Sequence, residues 1–80
     1  MNLLVNKQHL KILIQGEYFW NVWRKDNPEE TPDLMEAKLN EAELTGVNLN
    51  HVNLTGADIR RANLTEADLT GADLEFATMD

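Results

Sequence analysis

The chain contains no cysteine, so neither a disulfide framework nor a thiolate metal site can hold it together. Long apolar runs are missing as well. The opening "MNLLVNKQHLKILIQGEY" is interrupted by Asn6, Lys7 and Lys11, which is no signal peptide and nothing of the length a membrane span requires. A cytoplasmic protein without a membrane partner is expected. Histidine is scarce, and neither His9, on a polar helix edge, nor His51, at an exposed corner, has a second ligand spaced to join it. Glycines in the second half stand singly at Gly46, Gly56 and Gly71, where a positive φ costs little, and form no phosphate loop. Asp58, Asp68 and Asp73 stand apart, placed to bond local amides rather than to share a proton. No catalytic residue, cofactor site or metal site is expected, and the chain does not read as an enzyme.

Basic residues are scarce where acids are common. Residues 33–80 hold Lys38, Arg60 and Arg61 against ten acids, whereas residues 1–32 carry four of each sign. The whole net charge of −7 therefore lies on the second half. Such a surface repels phosphates, arguing against direct nucleic-acid binding, and suits basic partners. At 80 residues the chain makes one small domain, near the limit at which a single core folds without staples.

Two segments are expected: a helical cap and connector over 1–31, and a repeat over 32–80. In the first, Leu10, Leu13, Ile14, Trp20 and Trp23 recur at helical spacing, with Asn6 as N-cap. Gly16 either is tolerated inside one helix or breaks it into two pieces set at an angle. Asn27 precedes Pro28, so the helix should end by about residue 26.

In the second segment a large apolar residue returns every five positions: Leu34, Leu39, Leu44, Leu49, Leu54, Ile59, Leu64, Leu69, Leu74 and Met79. On an α-helix a five-residue step spirals around the rod, and on a flat strand it alternates faces. A second inward candidate, mostly alanine, lies two residues before each centre. Inward positions thus step by two and then three, a short extended piece followed by a corner. A chain that turns the same way every five residues closes into coils. Stacked coils make an all-β solenoid whose interior consists of the ten centres named above.

The stretch "AELTGVNLNHVNLTGADIRRANLTEADLTGADL" resembles the pentapeptide-repeat proteins, whose pattern is A-(D/N)-L-x-x; Asn48, Asn53, Asp58, Asn63, Asp68 and Asp73 occupy the polar position. The resemblance covers residues 32–80 and implies a right-handed quadrilateral β-helix of about 2.4 coils, with four repeats per coil. The stretch from His9 to Leu34, through Trp20, Trp23 and Arg24, is similar to the leader of bacterial, notably cyanobacterial, arrays of this kind. The pattern is departed from at Val47 and Val52, which are larger than alanine, at Lys38, Glu43 and Thr78, which replace Asp/Asn, and at Pro32.

With twenty residues per coil, Leu34/Leu54/Leu74 and Leu39/Ile59/Met79 stack inside, while Lys38 falls under Asp58 and Glu41 under Arg61. No outward column then sets acid on acid. Leu10, Leu13, Trp20 and Trp23 are expected to form a lid over the first coil. Phe76, outward over Gly56, either covers that glycine or belongs to a contact surface. The last coil, 61–80, should offer an open rim with Leu64, Leu69, Leu74, Phe76 and Met79 as a candidate interface. Two chains are expected to meet there as a homodimer. The function this implies is a non-enzymatic interaction, scaffold or oligomerisation module with an unknown protein partner. The alternative, implied by the family, is an acidic DNA mimic acting on an enzyme such as DNA gyrase.

Overall fold

The computed structural model describes residues 6–80. It opens on a capped turn: the Asn6 side-chain oxygen accepts from the amides of Gln8 and His9 at 2.9 and 3.1 Å, two donors that a helix start leaves unpaired. Helix α1, Lys7–Leu13, follows, and helix α2 is Glu17–Asp26. Between them Gly16 takes φ 113° and ψ 172°, a region open essentially to glycine alone. The chain therefore breaks at Gly16 into two helices. Helix α2 ends at Asn27, whose backbone and side-chain N–H groups both donate to the Trp23 carbonyl at 2.9 Å.

From Asp33 onward the chain turns a corner every five residues. The residue two after each centre, from Glu36 to Phe76, has a positive φ of 59° to 73°. Only three of these nine residues are glycine, so most corners accept a left-handed strain of roughly 1 kcal/mol or more each. Hydrogen bonds hold them there. Each corner is closed by the next inward residue donating to the centre's carbonyl, as Ala37 to Leu34 and Ala57 to Leu54, both at 3.0 Å. Within the same corners, Asp33, Asn48, Asn53, Asp58, Asn63, Asp68 and Asp73 each accept from the amide two residues on, at 2.9–3.2 Å. This is the physical need behind the Asp/Asn position: a short side-chain acceptor that reaches back to the corner.

Successive turns lie twenty residues apart. Parallel bridges pair Asp33 with Asn53, Lys38 with Asp58, Glu43 with Asn63, Asn48 with Asp68, Asn53 with Asp73 and Asp58 with Thr78. At each, one turn both gives and takes: Leu34 donates to the Asn53 carbonyl at 2.8 Å and Asn53 donates to the Pro32 carbonyl at 3.1 Å.

The expected all-β class does not hold. Among the described residues the regular elements are the two α-helices, with no β-strand and no sheet; pairing in the repeat is confined to isolated bridges. The reason is the corner spacing. A ladder requires consecutive residues paired along an extended run, and a corner every five residues leaves one bridged residue per side. The repeat is a stack of hydrogen-bonded turns rather than a β-helix built of strands.

The core runs through this stack and into the helices. Leu34, Leu39, Leu44, Leu49, Leu54 and Ile59 are buried with Val47, Val52, Ala37 and Ala57, and Leu13 and Trp20 join them from above. Leu10 and Trp23 pack partly buried against the same cluster. Toward the last turn burial declines: Leu64, Leu69 and Leu74 are partly buried. Met79, expected in the interior, is 56 % exposed and is not among the hydrophobics packed against the core.

Leu49, 1 % exposed, lies at the centre of this packing. Leu49→Ala should cost ~2–5 kcal/mol, the range for a buried leucine truncated in a core that collapses incompletely. A thermal melt should show a marked drop in midpoint or no cooperative transition.

Candidate interaction surface

The turn from Asp33 to Val52 has a neighbouring turn on one side and the helices on the other. Its register dictates what it presents toward the helices. On the sides from Asn53 to Asp73, one amide donates and two carbonyls accept across the gap, as when Asp58 gives to Ala37 and takes from Leu39 while Arg60 takes from Glu41. In the first turn the equivalent groups have no preceding turn to meet.

On two of the four sides, helix residues take that place. At the Asp33 side, the Asp33 amide donates to His9 Nδ1 at 3.0 Å and its carbonyl accepts from the Asn6 amide at 3.0 Å. At the Asn48 side, the Asn48 amide donates to Asn21 Oδ1 at 2.8 Å. The Asn48 carbonyl accepts from Trp20 Nε1 at 2.7 Å and Arg24 Nη1 at 2.8 Å, while the Asn50 carbonyl accepts from Arg24 Nη2 at 2.8 Å. Asn21 Nδ2 also donates to the Gly46 carbonyl at 3.0 Å. Spacing puts Trp20, Asn21 and Arg24 on one helix face. Partial burial lowers the Arg24 pKa from its usual value, with the Asp68 carboxylate opposing.

His9 differs from its expected place on a polar edge. It is 7 % exposed, packed against Trp23 with ring centroids 5.1 Å apart and the rings tilted by 51°, and its Nε2 lies 3.7 Å from a Glu30 carboxylate oxygen. Because Nδ1 accepts the Asp33 amide, the ring proton resides on Nε2. The four-residue spacing of His9 and Leu13 was the available signal that both face the stack.

The other two sides of this turn are open. Among the described residues, the Lys38 and Glu43 amides and the carbonyls of Lys38, Asn40, Glu43 and Thr45 have no hydrogen-bond partner. Between the Glu43–Thr45 side and the helices runs a groove of about 470 Å³ lined by Leu13, Ile14, Glu17, Leu39, Ala42, Leu44 and others.

At the opposite end lie Phe76, 81 % exposed, and Met79. Phe76 holds φ 61°, an uncommon conformation for a bulky side chain. There the amides of Leu64, Leu69 and Leu74 also lack partners among the described residues.

The acidic wall between the ends is organised locally. The expected Lys38–Asp58 column exists as a backbone bridge, but the Asp58 carboxylate pairs with Arg60, whose Nε and Nη2 donate at 2.9 and 2.7 Å. A partner two residues along the same corner is preferred to one on the adjacent turn. Glu41 and Arg61 do meet across turns, at 3.8 Å. His51 is exposed, with its ring over Gly71, where any Cβ would collide. Among the described residues no group of three or more His, Asp or Glu is placed to hold a metal, and no helix is long and apolar enough to cross a membrane. The arrangement offers backbone hydrogen-bonding groups and apolar surface, the materials of a protein contact.

A family model described as pentapeptide repeats matches residues 33–71 and 48–80, in eight copies, so every centre from Leu34 to Met79 lies in a matched stretch. No curated protein and no solved structure matches the chain.

The acidic wall carries a pH dependence. The side-chain and backbone hydrogen bonds of Arg60 lower the Asp58 pKa to about 2, and those of Thr70 lower that of Asp68. Carboxylates with depressed folded-state pKa values stabilise above their unfolded value, ~3.9, and lose that contribution as the pH falls through the folded value. Stability should therefore decline between about pH 4 and pH 2. In Asp58→Asn the decline should be shallower in denaturant titrations across that range.

Proposed function

The chain belongs to the pentapeptide-repeat family, and we propose that it is a non-enzymatic interaction module that self-associates through its last turn, residues 61–80. The observation that carries this reading is the exposed apolar end: Phe76 and Met79 at 81 % and 56 % exposure, beside the partly buried Leu64, Leu69 and Leu74. Unpaired amides at the same end supply hydrogen-bonding groups, and exposed edges of this kind recruit further chain. A two-fold contact would bury the same patch on both copies. Asp68, Asp73, Glu75 and Asp80 surround it, and Asp80 bonds back to the Arg61 amide at 2.9 Å, so acids rim the patch without covering it.

Helix α1 and helix α2 occupy the other end and cap the first turn. This gives the module two unlike ends and an acidic side wall, an arrangement suited to presenting one end to a partner while the other is closed in part.

Mimicry of DNA against an enzyme such as DNA gyrase draws on the net charge of −7. The turns of residues 33–80 stack over only ~12 Å at one spacing of ~4.8 Å each, a rise equal to ~3–4 base pairs. The self-associating module is the better-supported reading, and a gyrase supercoiling assay separates the two.

Light scattering coupled to size exclusion at tens of micromolar protein should give twice the 9.1 kDa chain mass, and Phe76→Arg or Leu74→Arg should return a monomer. A wild-type monomer, with both variants unchanged, would remove the contact.

A further inference from the structure

We propose that the open half of the first turn is a docking site for an extended, basic-apolar peptide segment of a partner protein. The proposal rests on the interaction-module reading but concerns the end opposite the self-association surface. Three features of this half of the turn point to it.

First, the unpaired backbone groups are in bridging register. In the stack, a residue such as Asp58 meets the turn before it through its N–H, its carbonyl and the carbonyl two residues on. The Asn48 side has all three filled by Asn21, Trp20 and Arg24, and the Asp33 side has its amide and its own carbonyl filled by His9 and Asn6. The Lys38–Asn40 and Glu43–Thr45 sides have none filled among the described residues. A partner carbonyl would take the Lys38 or Glu43 amide, and two partner amides would give to the carbonyls beside it, which is strand addition reduced to one bridge.

Second, two of the three departures at the Asp/Asn position fall on these sides. Lys38 and Glu43 replace the Asp/Asn that elsewhere accepts the amide two residues on, so the Asn40 and Thr45 amides lack the local bond made at Met35, Asn50, Thr55 and others. The two sides that the helices leave uncovered are thus also the two least satisfied from within.

Third, the groove has a defined chemistry. Its walls and floor are Leu13, Ile14, Leu39, Ala42 and Leu44, with Ile14 71 % exposed. The charged groups lining it are the carboxylates of Glu17 and Glu43, with no cation among its lining residues. Glu43 accepts only from Thr45 and Asn63, and neither carboxylate is in an ion pair among the described residues. An apolar side chain pointing in, next to a lysine or arginine pointing at these carboxylates, matches that lining.

A blocked pentapeptide of alternating valine and lysine is a direct probe, titrated into the isotope-labelled chain and followed by amide NMR. Saturable shifts should concentrate at Lys38, Asn40, Glu43, Thr45 and Ile14. Methylating the peptide's backbone nitrogens, which keeps its charge but removes its donors, should weaken binding at least tenfold, and so should Glu43→Lys. Four results would overturn the site: no shifts at millimolar peptide, equal binding of the methylated peptide, shifts spread along Asp68, Asp73 and Glu75, or shifts at residues 38–45 on concentrating the chain alone, which would give the groove to a second copy. Light scattering on the same samples keeps the two ends distinct, because a chain that still self-associates while ignoring the peptide loses this site alone.

Discussion

Everything in this molecule depends on a twenty-residue hydrogen-bonding register. Each side of a turn offers one amide and two carbonyls to the turn before it, and all six bridges repeat the same offset. An interior turn has these needs met by its neighbours. A terminal turn does not, and an unpaired buried backbone group costs about 1–3 kcal/mol. The helices answer this on two sides of the first turn by supplying side-chain and backbone groups where a preceding turn would supply carbonyls and amides. Arg24 does so most completely, giving to both the Asn48 and the Asn50 carbonyls, while Asn21 accepts from the Asn48 amide.

The same constraint links packing to function. The interior narrows to leucine, valine and alanine in the first turns and is closed above by Trp20 and Leu13. Away from the helices burial declines through Leu64, Leu69 and Leu74 to the exposed Met79. Burial and exposed apolar surface are therefore distributed in opposite directions along one short axis. The most tightly packed turn is also the one whose rim is half open, which combines a rigid frame with available backbone groups. Such a site is pre-organised, and ordering costs on binding fall on the partner.

Much of this was legible in the sequence. The leucine spacing marks the positions that are buried from Leu34 to Ile59 and lose burial from Leu64 to Met79, the Asp/Asn position makes the corner bonds, and Asn6 and Asn27 mark helix ends. The strand content was not legible, because an extended piece between corners looks identical in sequence whether it pairs at one residue or several; the corner every five residues limits it to one. Periodicity also left open whether Gly16 interrupts the helix. Nor does it show which donors meet which acceptors. Asp58 had two cations within reach, Lys38 on the adjacent turn and Arg60 two residues on, and local geometry selected Arg60. His9 was read by its polarity, yet its imidazole is buried because a ring nitrogen can replace a missing carbonyl.

Amide hydrogen exchange on the first turn tests the central claim most directly. If helix residues complete the register on two sides only, the Asp33 and Asn48 amides should be protected with the core amides of Leu49 and Leu54, while the Lys38 and Glu43 amides exchange freely. Asn21→Ala should release Asn48 selectively and leave Asp33 protected. Equal protection of all four amides, or an Asn48 amide that exchanges as fast as Glu43 in the unaltered chain, would contradict the account.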